Sequence, residues 1–314
     1  METGALRGTI VPLVTPFAAD ESFDAPAMER LIDWVLEQGA DALMPTALTG
    51  EGPLLDIEET LSVWDTIVDR NGGRLPIMPA VISTTTRRAC RLVEAAERLG
   101  ARAVMVAPIL PELYAGRSHD DVYAFYADVV GATALPIILF NYPSLTGVDV
   151  VPDLVARLVE IEGVRHIKES TGDVRRVHGL QRAFGERLQV VCGAPNVALE
   201  SLALGCRAWI TGIMNAVPRS AQQLMRAVVE LGDLALARGI YYEQILPLVD
   251  VMSRNNNPTG TIKAAVWARG VDVGAPRRPG SAIGPVDRGH IERLMAEIAQ
   301  AEERVAAELA AKDL

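Results

Sequence analysis

Val164-Arg165-His166-Ile167-Lys168-Glu169-Ser170-Thr171-Gly172-Asp173 is the stretch from which the chain is best read. Its first half is short and apolar, as a strand should be. A loop follows, and a helical pattern then runs from Asp173 to Phe184, with Gly185 in the stop position. Strand, loop and helix make one βα unit, and its chemistry sits at the junction. The chain has three lysines against 27 arginines, and one of the three, Lys168, closes this strand. Arg stays charged, whereas Lys can lose its proton once burial lowers its pKa and can then attack a carbonyl.

The same unit recurs in both directions. Strand candidates are Thr9–Val14, Ala42–Pro45, Pro76–Ile82, Ala103–Ala107, Pro136–Asn141, Val164–Lys168, Leu188–Cys192 and Ala208–Thr211. They are apolar on both faces, as parallel strands covered by helices are. Between them Asp24 with Pro26 starts a helix that Gly39 stops. Asp56 and Glu59 form a capping box, and Arg87–Leu99 runs into Gly100. No Gly-x-Gly-x-x-Gly follows an early strand, which removes the dinucleotide-binding reading. Eight such units predict a (β/α)8 TIM barrel of class α/β. Beyond Pro218 the strands stop. Helices are expected over Ala221–Arg238, Tyr241–Arg254, Thr259–Arg269 and Val286–Ala311. The division is therefore a barrel over residues 1–238, carrying the active site, and a C-terminal helical extension over 239–314 packed on it.

At 314 residues and 49% hydrophobic content the chain can bury one large core. Its net charge of −10, without a Lys/Arg-rich run, argues against a nucleic-acid or anionic-membrane partner. Cys90, Cys192 and Cys206 are odd in number and far apart, so no disulfide framework is expected. The four histidines lack metal-ligand spacing, and no metal is expected. No signal pattern and no apolar run of about 18 residues occur, which reads as a soluble, cytoplasmic protein.

Barrel active sites lie at the C-terminal strand ends and the loops that follow. Lys168 stands there, where its amine could condense with the ketone of a 2-oxo acid; the plainer alternative is a strand-end lysine reaching solvent. After the second strand comes Thr49-Gly50-Glu51-Gly52. Its glycines let N–H groups converge on a carboxylate and Thr49 adds a hydroxyl, although the same residues also make an ordinary turn.

Thr49-Gly50-Glu51, Phe140-Asn141-Tyr142-Pro143-Ser144-Leu145-Thr146-Gly147 and Ile167-Lys168-Glu169-Ser170-Thr171-Gly172-Asp173, in this order and spacing, resemble the dihydrodipicolinate synthase/N-acetylneuraminate lyase family of class I aldolases. The resemblance spans roughly residues 6–300. It implies a Schiff base at Lys168 and a pyruvate-like carboxylate held by Thr49 and Gly50, with Glu51, Tyr142 and Ser144 near the substrate. Gly193 and Ile210 would line the pocket. It also implies a homotetramer built as a dimer of dimers, and neither organic cofactor nor metal.

Three departures bear on the reaction. Phe140 stands where the family has the Tyr that carries protons beside the imine. Leu48 replaces a hydroxyl, and Leu145 an Arg that reads a second carboxylate. They argue against dihydrodipicolinate synthesis, and the resemblance to the sugar-acid and sialic-acid aldolases of the family then implies retro-aldol cleavage of a small 2-oxo acid, releasing pyruvate. Dehydration or deamination through the same imine is the alternative, as is a 2-oxo-acid binding protein with little turnover. His166 shares the inward face of its strand with Lys168, about 7 Å deeper, and is a candidate base; a hydrogen-bonded core histidine is the plainer reading. Tyr142, Ser144, Ser170 and Glu169 are other proton carriers to consider, Asn141 and Asn215 read as loop-fixing hydrogen bonders, and Tyr114 is the candidate contribution from a neighbouring subunit.

Overall fold

The structure is a computed structural model and describes residues 4–108 and 118–312; Tyr114 lies outside them. All eight expected strands form: β1 (Gly8–Pro12), β2 (Ala42–Met44), β3 (Ala80–Ser83), β4 (Val104–Pro108), β5 (Ile137–Asn141), β6 (Val164–Glu169), β7 (Gln189–Cys192) and β8 (Ala208–Ile210). They lie parallel in the order β2-β1-β8-β7-β6-β5-β4-β3. The last gap is bridged where the Leu43 N–H donates to the Pro76 carbonyl (3.1 Å) and the Met78 N–H to the Leu43 carbonyl (2.8 Å). Pro76 and Pro79 have no N–H to give, so the predicted strand Pro76–Ile82 pairs there only through an isolated bridge and is regular only from Ala80.

Helices α1 (Ala25–Glu37), α2 (Ile57–Asn71), α3 (Thr86–Arg98), α4 (His119–Gly131), α5 (Pro143–Thr146), α6 (Pro152–Leu158), α7 (Val174–Phe184), α8 (Ala198–Ala203) and α9 (Pro218–Met225) follow the strands. The sequence signals act where expected. The Asp24 carboxylate accepts from the Ala27 N–H, and Asp56 with Glu59 closes a capping box on α2. Each such cap is worth about 1 kcal/mol.

Strand alternation sorts the apolar residues into two cores. The larger, with Leu31, Trp64, Val93 and Trp209, lies between sheet and helices. The smaller fills the barrel, with Ile10, Met44, Met78, Met105, Ile138 and Phe140 among its members. In β6 the register slips: Ile137 pairs with Val164 but Ile138 with His166, leaving Arg165 as the extra, exposed residue. This bulge sets His166 and Lys168 opposite the inward-facing Ile138 and Phe140.

The tail comprises α10 (Leu234–Ile240), α11 (Leu246–Asn255), α12 (Pro258–Ala268) and α13 (Pro285–Ala311). Two expected helix limits are corrected. Ala221–Arg238 is not one helix: Gly232 takes φ +64°, and the Asp233 carboxylate caps a new helix at the Leu236 N–H. Residue 238 then lies inside α10, which runs on through a π-helical segment, Tyr241–Ile245, into α11. The helical run that leads into the tail thus starts after Gly232. No helix among the described residues is long and apolar enough to cross a membrane.

Candidate active site

Phe140, Lys168 and Val191 stand side by side across β5, β6 and β7. The lysine is 8% exposed and its Nζ lies 4.4 Å from the Phe140 ring centroid. Two apolar neighbours and no carboxylate partner among the described residues leave its ammonium poorly solvated, and burial pushes its pKa down to about 7. Nearby Cys192 gives no counter-charge, because burial pushes its thiol pKa upward and keeps it protonated. A substantial fraction of Lys168 is therefore a neutral amine at physiological pH, the state that adds to carbonyls.

The amine opens into a cavity of about 720 Å³ at the C-terminal end of the barrel. Thr49, Tyr142, Ser170 and Gly193 line it together with the lysine, as do Leu48, Ser144, Leu145 and Asn196. Lys168 is the only lysine, arginine or carboxylate in the described lining. The Ser170 side chain is buried, and its Oγ has no hydrogen-bond partner among the described residues. Around the mouth the backbone is tied down by asparagines. Asn141 donates to Glu169 (2.9 Å) and accepts from the Val150 N–H (2.9 Å); Asn215 accepts from the Val14 N–H (3.0 Å) and donates to Pro12 (2.9 Å) and Gly212 (2.8 Å). Glu169 also accepts from the Thr171 N–H (2.7 Å), so it fixes the loop after β6.

Four expected site residues lie elsewhere. His166 is not brought to Lys168: it borders a separate cavity that Leu6, Arg165 and Gln189 also line, towards the strand starts. The Leu6 backbone fixes the Gln189 amide, donating to Oε1 (2.8 Å) and accepting from Nε2 (2.6 Å). His166 Nδ1, 3.1 Å from that same Oε1, must then carry the proton. Burial pushes its pKa down to about 4, against the Gln189 hydrogen bond, so it is a neutral latch near the strand starts. Ile210 is buried in the barrel interior without lining the cavity. Gly50 lies just behind the wall, where a Cβ would meet the Leu13 carbonyl at 2.5 Å; the N–H groups of Thr49 and Gly50 find no acceptor among the described residues. Glu51 turns away from the cavity, its Oε1 2.8 Å from Lys263 Nζ.

The tail supplies wall residues that the sequence reading did not, Val249, Met252, Thr259 and Ile262, beside Asn256 of the expected Asn255–Asn257 loop. Lys263 was missed as well, although the scarcity of lysine that singles out Lys168 points to it equally.

A parallel barrel with an unpaired, buried lysine at the end of β6 has the make-up of a class I aldolase. Comparison with known proteins narrows this. The sequence profile of the dihydrodipicolinate synthetase family matches residues 5–301, and the chain belongs to that family. It is 32% identical over 294 residues to a 4-hydroxy-tetrahydrodipicolinate synthase of Thermomicrobium roseum, covering 94% of each chain. Among solved structures it resembles the dihydrodipicolinate synthase of Acinetobacter baumannii complexed with pyruvate, with 29% identity, TM-score 0.87 and coverage of 94% of this chain and 99% of that one. It also resembles YagE, a prophage protein of the same family from E. coli K12 in complex with pyruvate, with 25% identity, TM-score 0.86 and coverage of 93% and 98%. The protein is a lyase of this family.

Proposed function

We propose that the protein forms a Schiff base between Lys168 and a small 2-oxo acid and cleaves it by retro-aldol reaction to pyruvate and an uncharged aldehyde. The observation that carries this reading is a lysine with pKa lowered to about 7 in a cavity whose described walls otherwise hold no charge. The neutral amine adds to the C2 ketone and water leaves. The C3–C4 bond then breaks, its electron pair flowing towards the protonated imine while the C4 hydroxyl gives up its proton. Protonation at C3 and hydrolysis return pyruvate and the amine. Thr49, with the N–H groups of Thr49 and Gly50, is suited to the substrate carboxylate.

The relatives from Thermomicrobium roseum and Acinetobacter baumannii carry the synthase name, and two features of the cavity favour a different second substrate here. Leu48 and Leu145 line it, and among the described residues no cation besides Lys168 is there to receive a second carboxylate. Burying that carboxylate unpaired would cost several kcal/mol. Dehydration through the same imine is the second reading. Phe140 favours it, since elimination needs no relay from the C4 hydroxyl. Family membership supports a homotetramer in the cytoplasm as the working form.

Borohydride reduction in the presence of pyruvate should leave the adduct on Lys168, seen by peptide mass spectrometry. The trapping rate should rise with pH and level off above about 7, because the lowered pKa frees the amine there. Absence of an adduct would remove the mechanism. Product analysis with 2-keto-3-deoxy sugar acids then separates cleavage, which gives pyruvate, from dehydration, which gives a dioxo acid.

With Phe140 unable to exchange a proton, Ser170 is the relay, since a hydroxyl can accept one proton while donating another. Ser170→Ala should lower kcat by roughly 100-fold while pyruvate trapping persists. Phe140→Tyr added to Ser170→Ala should recover part of the loss. An unchanged kcat in Ser170→Ala would return that hydroxyl to a structural role.

A further inference from the structure

Lys263 is 2% exposed, less than Lys168 itself, although it lies behind the cavity wall rather than in it. Its Nζ lies 2.8 Å from Glu51 Oε1, donates to the Ala275 carbonyl at 2.9 Å and sits 4.6 Å from the Phe17 ring centroid. The other carboxylate oxygen of Glu51 accepts from the Arg277 N–H at 2.8 Å. The Arg277 guanidinium is 4.3 Å from the same Phe17 ring and donates to Glu59 at 2.6 Å and 2.9 Å. Glu51 is thus held from two sides by the tail.

The hold is transmitted to the cavity over two residues. Glu51 takes the left-handed conformation (φ +56°, ψ +25°), and its N–H donates to the Leu48 carbonyl at 3.0 Å. Its carboxylate is therefore an anchor for the tight turn that carries Thr49. The residue before Lys263 acts on Thr49 more directly. A Cβ built on Gly212 would meet Thr49 Oγ1 at 2.6 Å and Ile262 Cδ1 at 2.9 Å, so both side chains close on the same space. Successive residues of α12 thus grip the turn, Ile262 beside Thr49 and Lys263 on Glu51.

We infer that Lys263 is a positioning residue: by its ion pair with Glu51, α12 sets where Thr49 meets the substrate carboxylate, which makes the helical tail part of the binding site. This rests on the Schiff-base reading above, because it assigns that carboxylate to Thr49. A buried pair broken on one side leaves an uncompensated charge, so stability and positioning must be separated. Lys263→Met strands the Glu51 carboxylate, whereas Glu51→Gln/Lys263→Met strands nothing, yet both lack the tie.

The test measures Tm and the pyruvate concentration giving half-maximal borohydride trapping, on the full chain. Lys263→Met should lower Tm and raise that concentration roughly tenfold or more, with the pH midpoint of trapping unmoved. The double variant should recover much of the Tm and none of the pyruvate requirement. If the requirement recovers along with Tm, or is unaltered in both variants, Lys263 is merely structural and the inference is overturned. If Lys263→Met does not fold, the double variant alone decides by the same measure. Failure of the unaltered protein to trap pyruvate would instead overturn the Schiff-base reading, and this inference with it.

Discussion

Lys168→Met should abolish turnover and, at neutral pH, make the protein more stable. Both effects have one cause. The unfolded chain holds the Lys168 proton up to the ordinary lysine value of 10.5, whereas burial in the folded chain lowers the pKa to about 7. Folding at pH 7 therefore confines a group that binds its proton more weakly than in water. Each unit of depression costs about 1.4 kcal/mol, so the penalty is on the order of a few kcal/mol. It is fully present below about pH 7 and fades as pH rises towards 10.5, where the unfolded chain also loses the proton. Methionine fills similar space without the amine, and the penalty disappears. The Tm gain over the unaltered protein should be largest at or below pH 7 and shrink through pH 9 to 10. Imine trapping should vanish at every pH. A variant that loses activity and also loses Tm across this range would mean that Lys168 is a structural group with an unseen partner.

The barrel could be read from the sequence because its signals are local. Alternation of apolar strands with capped helices needs no knowledge of distant contacts, and the Asp56–Glu59 box sits where its spacing placed it. The tail was harder to read. The apolar spacing from Ala221 to Arg238 continues through the break, which only Gly232 and the Asp233 cap mark. At the site, Lys168 stood out through scarcity and position. The same scarcity should have flagged Lys263, but its partner Glu51 is more than two hundred positions away and the pairing exists only after folding. His166 shows the limit of alternation: parity gave its face correctly but could not tell that its ring would be drawn to Gln189 near the strand starts. Glu51 belongs to the stretch that carries the family resemblance, which cannot tell that its left-handed backbone turns its carboxylate to Lys263.

Gly193→Ala should be nearly as damaging as loss of the lysine, although it adds a single methyl group. Gly193 faces Lys168 across the end of β7, and its N–H donates to the Glu169 carbonyl at 2.9 Å. A Cβ there would lie 2.0 Å from Ser170 Oγ, 2.7 Å from the Glu169 carbonyl oxygen and 2.9 Å from Lys168 Cγ. The serine could rotate, but the carbonyl is backbone held in a parallel ladder and cannot retreat without breaking that hydrogen bond. The methyl group would therefore displace Lys168 and Ser170 together, the proposed nucleophile and the proposed relay. Overpacking of this kind typically costs about 1–3 kcal/mol of stability. Misplacing a reacting atom by roughly an ångström costs on the order of 100-fold in rate. The trapping rate should fall by at least that factor while the protein remains folded by circular dichroism. Gly179→Ala is the control: it lies within α7 with open space around its α-carbon, so it should leave trapping unchanged and add up to about 1 kcal/mol of stability. Near-normal trapping in Gly193→Ala would mean that the lysine reaches its substrate from a different rotamer, and that the crowding at the end of β7 has no part in aiming it.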